Sequence, residues 1–201
     1  MRPELEKGGG MTLTDLVVIV AQCLWGISEF IIYKRMRSSE KNADQKSYKV
    51  LYDITLGSLA LGIFVGIYLK FNNLFGLYDP AIFFPITGVC LMILGLFIRL
   101  SAINQLKQFF TINVAIRGDH KLVTDRLYEY IRHPAYSGGI ITFIGCAICY
   151  GNPVSFVVIA LPYILLILNR IKIEEAVLTE KFGKDYIEMQ RKTKKLIPFI
   201  Y

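Results

Sequence analysis

Both histidines of the chain fall in one short stretch, HKLVTDRLYEYIRHPAYSG (residues 120–138), and an apolar run later the chain reads Arg170-Ile-Lys-Ile-Glu174-Glu175. Pro134 suits the first turn of a helix, so His133 is expected at or just before a helix N-terminus, where unsatisfied N–H groups favour an anion. Around it Tyr128 and Tyr136 offer aromatic faces, Leu122 and Val123 apolar surface, and His120 a donor or acceptor. Arg170 and Glu174 share a helical face one turn apart, with Glu175 beside them. Taken alone, that pair also reads as an i,i+4 ion pair worth about 0.3–0.5 kcal/mol, and the tyrosines as an interfacial aromatic belt.

The elements that must position these groups are membrane helices. Of 201 residues, 54% are hydrophobic and the mean hydropathy is +0.45, too apolar for a soluble domain of this size. Crossing a hydrocarbon core takes roughly 20 helical residues. Apolar runs of that length lie at about 14–33, 50–69 and 82–103, and two shorter runs at about 136–150 and 154–169 flank Gly151-Asn152-Pro153. That tripeptide cannot continue a helix, so the last two runs form a hairpin. At 1.5 Å per residue each arm reaches roughly 22–24 Å, so the hairpin is expected to dip partway or to pack inside the protein. The expected fold is an all-α integral membrane protein with about five transmembrane helices, including this short hairpin, and C-terminal cytoplasmic helices.

Net charge is +7. Segments 34–49, 104–133 and 170–201 hold six, five and eight of the 23 Lys and Arg residues, whereas the loops at 70–81 and 151–153 hold only Lys70. The three basic segments share one side if the spans alternate, and the positive-inside rule puts the N-terminus outside and the C-terminal tail in the cytoplasm. The basicity is therefore topological, and nucleic acid is not an expected partner. The first apolar run is span-length and lacks a small-x-small cleavage site, so it reads as retained. Residues 1–13 read as a polar tail, 14–103 as three transmembrane helices, and 104–201 as the region that carries both histidines and the Arg170–Glu175 stretch. In that region a cytoplasmic loop precedes the hairpin 136–169 and the C-terminal helices. The membrane is either the endoplasmic reticulum or a prokaryotic inner membrane.

Cys23, Cys90, Cys146 and Cys149 all lie in or beside apolar runs, so Cys146-Ala-Ile-Cys149 reads as packing, and two histidines with no cysteine near them give no metal site. Glu29, Asp53 and Arg99 fall inside spans near their cytoplasmic ends, and either carboxylate is a plausible partner for Arg99. The fifth segment is expected to continue through Arg170, Glu174 and Leu178 to Phe182-Gly183. A short helix over Lys184 to Lys194 follows, and Leu196-Ile-Pro-Phe-Ile-Tyr201 folds back on the protein or the membrane surface.

The residues near His133 and Glu174 suit a ligand with a carboxylate, an amine, a cationic centre and a flat ring. S-Adenosyl-L-methionine is one such molecule among many zwitterions. The joint pattern is narrower. H-x-L-V-T-x-x-x-Y-x-x-x-R-H-P-x-Y-x-G, a hairpin with GNP at its tip, R-x-x-x-E-E, F-G-x-x-Y and a terminal L-I-P-F-I resemble the isoprenylcysteine carboxyl methyltransferase family over about residues 105–201. The resemblance implies an integral membrane methyltransferase without a Rossmann domain, binding S-adenosyl-L-methionine in a cytoplasm-facing pocket capped by C-terminal helices. It implies cofactor contacts from His120, Lys121, Leu122, Val123, Tyr128, His133, Pro134, Ala135, Tyr136 and Glu174, with Arg132 and Glu175 as further candidates. Arg170 matches the arginine that holds the substrate carboxylate. The sequence departs from the family pattern at Thr124–Leu127, where a glycine often stands, and at Met189, which replaces a second tyrosine.

The chemistry is consistent with that role. A carboxylate of pKa about 4 is ionised at neutral pH and attacks a sulfonium methyl without a general base, so the protein must supply alignment and water exclusion. The expected acceptor is an isoprenylated cysteine or similar lipid-linked acid entering from the bilayer. Alternatives are N-methylation of a phospholipid of the phosphatidylethanolamine type, and a non-catalytic protein binding lipid or a partner through its basic face.

Overall fold

The structure is a computed structural model that describes residues 12–36, 45–72, 74, 82–110 and 122–201. Among them the elements are helical: α1 (Leu13–Met36), α2 (Gln45–Phe71), α3 (Phe83–Leu106), a 3₁₀ turn (Lys107–Phe109), α4 (Leu127–Tyr130), α5 (Pro134–Ile148), α6 (Pro153–Phe182) and α7 (Lys184–Lys192). Four of these, α1, α2, α3 and α6, are long and apolar enough to cross a membrane, and the chain is an integral membrane protein.

Local sequence explains the helix ends. At the start of α1, the Thr12 amide donates to Asp15 Oδ2 at 3.0 Å while the Asp15 amide donates to Thr12 Oγ1 at 3.2 Å, a reciprocal cap. Lys70, at the end of α2, pairs with Asp15 and ties those two ends together. Gly151 takes φ +58° at the hairpin tip, Asn152 accepts from the Ser155 amide at 2.7 Å, and Pro153 opens α6. Gly183, at φ +53°, turns the chain from α6 into α7.

The two arms of the hairpin are unequal. α5 has 15 residues, about 22 Å, and packs between α3 and α6. α6 runs for 30 residues, about 45 Å, through Pro162 and on past Arg170 and Glu174. The second arm outruns its apolar run as the helical spacing of Arg170, Glu174 and Leu178 implies, and the helix ends at Phe182, where Gly183 turns the chain.

Backbone contact between α3 and α5 sets the register of the site. A Cβ on Gly95 would lie 2.5 Å from the Gly138 carbonyl oxygen and one on Gly138 2.5 Å from that of Gly95, while Gly88 and Gly145 oppose each other at 2.5 and 2.6 Å. The two glycine pairs recur two turns apart on antiparallel helices and allow the backbones to touch. One turn beyond Gly95, Arg99 is thereby brought to the start of α5, where its Nη1 donates to the Ala135 carbonyl at 3.1 Å.

Candidate functional site

The RHPAY segment is held by the C-terminal tail. After α4 the chain extends, and Ile131 forms a parallel bridge with Lys194. The Arg132 amide donates to Lys194 O at 2.8 Å, the His133 amide to Lys195 O at 3.1 Å, and Ser137 Oγ to Leu196 O at 2.6 Å. His133 occupies the N-cap of α5 without a capping bond from its side chain, and Pro134 is the first helical residue. The Tyr136 and Ser137 amides both turn back on the His133 carbonyl at 3.0 Å. Those two donors therefore do not form the anion site expected at this helix start. The imidazole is instead directed at the carboxylates of α6.

There Glu174 and Glu175 have different surroundings. Glu175 Oε1 accepts from Arg132 Nε at 2.9 Å and lies 3.4 Å from His133 Nε2, and its Oε2 lies 3.1 Å from Lys195 Nζ. Arg132 spends its Nη1 on the carbonyls of Gln190 (3.2 Å) and Thr193 (2.5 Å). Arg132 and Glu175 thus clamp the tail to α6. Glu174 Oε1 is 3.8 Å from His133 Nδ1, and its Oε2 accepts from the Tyr136 hydroxyl at 2.6 Å. That same hydroxyl accepts from Arg170 Nε at 2.9 Å, and the Tyr136 ring stacks on His133 with centroids 5.7 Å apart.

Beside this polar group lies an apolar cluster of Ile32, Ala102, Ile103, Tyr128, Ala135, Tyr186 and Met189, with Leu122, Val123, Leu178 and Phe182 against it. Tyr128 donates to the Ala102 carbonyl at 3.4 Å, and burial, with Glu174 adding to it, pushes its phenol above the ordinary tyrosine range. Tyr186 is almost completely buried, yet its hydroxyl makes no hydrogen bond of ordinary geometry, Arg132 engaging it only loosely. The structure therefore brings together Leu122, Val123, Tyr128, Arg132, His133, Pro134, Ala135, Tyr136, Arg170, Glu174 and Glu175. His120 and Lys121 lie outside the described residues.

A cavity of about 120 Å³ opens on the other side of Tyr136. Arg170, Arg99, Glu29 and Tyr136 supply its polar lining; Trp25, Leu51, Leu56, Leu59, Phe143 and Ile167 supply apolar surface from α1, α2, α5 and α6. Glu174 and His133 do not line it. Tyr136 therefore stands between the polar cluster of His133 and Glu174 and a mainly apolar cavity lined in part by Arg170. Among the described residues, no group of three His, Cys, Asp or Glu side chains could hold a metal ion.

Sequence reasoning missed several of these groups. Trp25 and Tyr163, which lines the same cavity and stacks on Phe143 at 3.8 Å, were not singled out. A lone tryptophan inside a span was the available signal for the first; nothing local marked the second. Lys195 joins Glu175 only because the tail folds back, and no spacing rule links residues 175 and 195.

A profile described as phospholipid methyltransferase matches residues 83–185. Protein-S-isoprenylcysteine O-methyltransferase B of Arabidopsis thaliana is 35% identical over 115 residues, 56% of this chain and 58% of that protein. The protein-S-isoprenylcysteine O-methyltransferase of Schizosaccharomyces pombe is 39% identical over 131 residues, 64% of this chain and 53% of that one. The matched region is thus a little over half the length of these curated relatives. A solved structure described as the eukaryotic intramembrane Ras methyltransferase ICMT (isoprenylcysteine carboxyl methyltransferase) superposes with a TM-score of 0.64 at 24% identity, covering 96% of this chain and 70% of that one, a likeness of fold. Because the profile takes in half of the chain, from the start of α3 into α7, and with it Arg99, His133, Tyr136, Arg170 and Glu174, the chain belongs to the phospholipid methyltransferase family.

Proposed function

We propose that this protein is an S-adenosyl-L-methionine-dependent methyltransferase that esterifies the carboxylate of an isoprenylated cysteine or a similar lipid-linked acid. The observation that carries this reading is Arg170, 3% exposed and lining a mainly apolar cavity, joined through one tyrosine hydroxyl to Glu174. A buried guanidinium facing apolar surface suits an acceptor that is an acid at one end and a hydrocarbon at the other.

The polar cluster around Glu174 fits the cofactor on chemical grounds. Glu174 keeps Oε1 for an amine while Oε2 accepts from Tyr136, and His133 lies beside it. Tyr128 and Ala135 line an apolar cluster suited to a flat ring, and the buried Tyr186 hydroxyl is a donor left for a ligand. Leu122, Val123 and Pro134 complete the set, with His120 and Lys121 assigned to it by resemblance alone. Bound there, S-adenosyl-L-methionine would supply an electrophilic methyl group. The chain itself holds the acid, orients it and excludes water, and no residue need take a proton, because the acid is already ionised at neutral pH.

The names of the relatives favour the isoprenylcysteine carboxylate as acceptor, while the family description keeps phospholipid amines as the second reading. The distribution of Lys and Arg supports an N-terminus outside and a cytoplasmic face carrying Glu174 and the C-terminal tail. The test is incubation of purified protein with labelled S-adenosyl-L-methionine and a panel containing a farnesylcysteine analogue and phosphatidylethanolamine. A base-labile methyl ester on the first supports the reading. Label confined to the phospholipid, stable to base, overturns it.

A further inference from the structure

The Tyr136 hydroxyl faces two charged groups with different tasks. A phenol has one proton and two lone pairs, whereas a carboxylate only accepts and Arg170 Nε–H only donates. The direction of the chain of bonds is therefore fixed: Arg170 Nε donates to Tyr136 at 2.9 Å, and Tyr136 donates to Glu174 Oε2 at 2.6 Å. Both bonds involve an ionised partner, so each strengthens the other. The phenol is the short, stiff centre of this relay, because α5 packs backbone to backbone against α3 at Gly138 and Gly145, whereas Arg170 and Glu174 are long side chains on α6. Tyr136 and Arg170 line the apolar cavity; Glu174 does not.

We propose that the Tyr136 hydroxyl is a positioning group that couples the two halves of the site, setting the Arg170 guanidinium for the acceptor's carboxylate according to what Glu174 holds. When an amine takes Glu174 Oε1, Oε2 loses negative character, the phenol shifts its proton less toward Glu174, and its lone pair becomes a weaker acceptor for Arg170 Nε. The guanidinium then turns its charge toward a second carboxylate, that of the acceptor. Cofactor binding thus promotes acceptor binding through one hydroxyl, and reciprocally.

This inference rests on the proposed activity, and its test separates the two. Binding of a non-reactive farnesylcysteine analogue is measured with and without S-adenosylhomocysteine, in the wild type and in Tyr136→Phe, alongside steady-state kinetics. Wild-type protein should bind the analogue more tightly with S-adenosylhomocysteine present. In Tyr136→Phe, which removes the hydroxyl that holds Arg170 back, that difference should vanish, the analogue's Kd without S-adenosylhomocysteine falling to about the value the wild type shows with it, while the cofactor Kd changes by no more than about two-fold. In Arg170→Lys, which keeps the Tyr136–Glu174 bond, the coupling should also vanish, and adding Tyr136→Phe to it should cost little more. Persistence of the coupling in either variant overturns the proposal, as does a cofactor Kd that weakens in Tyr136→Phe as much as turnover falls. Wild-type protein that binds no cofactor and transfers no methyl overturns the functional reading and the coupling with it; an active wild type with an unaltered Tyr136→Phe overturns the coupling alone.

Discussion

Arg99 and Glu29 form a forked ion pair across α3 and α1, Nε to Oε1 at 2.6 Å and Nη2 to Oε2 at 3.0 Å. With Nη1 on the Ala135 carbonyl, the guanidinium braces α1, α3 and the start of α5. Removing one partner leaves the other charge uncompensated in a mainly apolar setting. Glu29→Ala should therefore cost about 3 kcal/mol, read as a lowered thermal midpoint in detergent. Glu29→Gln, which keeps an acceptor, should cost less, and the Glu29→Ala, Arg99→Met double variant less than the two single losses added.

The glycine contacts between α3 and α5 lead to a second expectation. Gly95→Ala or Gly138→Ala puts a methyl about where the opposite backbone already lies, with atoms of Arg99 also within 3 Å of the added carbon at residue 138. Each should destabilise by roughly 1–3 kcal/mol and displace Arg99 from Ala135, lowering turnover as well. Gly26→Ala in α1 meets nothing within 4 Å and should be neutral or stabilising by up to about 1 kcal/mol in the same thermal assay.

These contacts also mark where the sequence stops being legible. The hairpin tip was readable because Gly151, Asn152 and Pro153 act locally, through a positive φ, a cap and a missing donor. The position of His133 was readable for the same reason, since Pro134 fixes the first turn. The choice of Glu29 over Asp53 for Arg99 was not, because it depends on which helix faces α3. The extent of α6 is legible, because Arg170, Glu174 and Leu178 keep helical spacing up to Gly183, whose positive φ turns the chain. The role of Tyr136 depends on bonds to residues 34 and 38 positions away, and the strap at Lys194–Leu196 on pairing across some sixty residues, neither of which leaves a periodic signal.

Glu174 and Glu175 should separate cleanly when each is replaced. Glu175 accepts from or pairs with Arg132, His133 and Lys195, so Glu175→Ala removes the clamp on the tail. It should lower the thermal midpoint and release hydrogen-exchange protection at the amides of Arg132, His133 and Lys194, which pair with or within the strap. Glu174→Ala should keep both and weaken S-adenosyl-L-methionine binding at least about ten-fold, as loss of a charged hydrogen-bond acceptor implies. Equal loss of cofactor affinity with no change in exchange for either variant would remove this division of labour.

The pH profile distinguishes the acceptors. A carboxylate acceptor has a pKa of about 4, so its ionised fraction is complete from pH 6 upward and turnover should be flat between about pH 6 and 9. A phospholipid ammonium must lose a proton first, so its methylation rate should climb through the same window. Tyr128 and Tyr186, both pushed above the ordinary range chiefly by burial, stay protonated there and contribute no slope. A rate measured with a farnesylcysteine analogue that rises steadily to pH 9 would count against direct attack by a pre-formed carboxylate.

Tyr186 separates stability from binding. Its hydroxyl is buried, lacks a well-formed hydrogen bond, and sits between Glu175, Glu174 and Arg132, all of which influence its phenol. An unsatisfied buried hydroxyl costs about 1–3 kcal/mol in the ligand-free protein, so Tyr186→Phe should leave the thermal midpoint unchanged or raise it. If the hydroxyl bonds the cofactor, the same variant should weaken S-adenosyl-L-methionine binding by roughly five- to ten-fold, the loss expected for one hydrogen bond. Isothermal calorimetry and thermal unfolding on one detergent preparation measure both. A higher midpoint with unchanged affinity would make the ring a packing group and leave the hydroxyl outside the cofactor's reach, whereas a lower midpoint would mean that Arg132 bonds it more firmly than the geometry indicates.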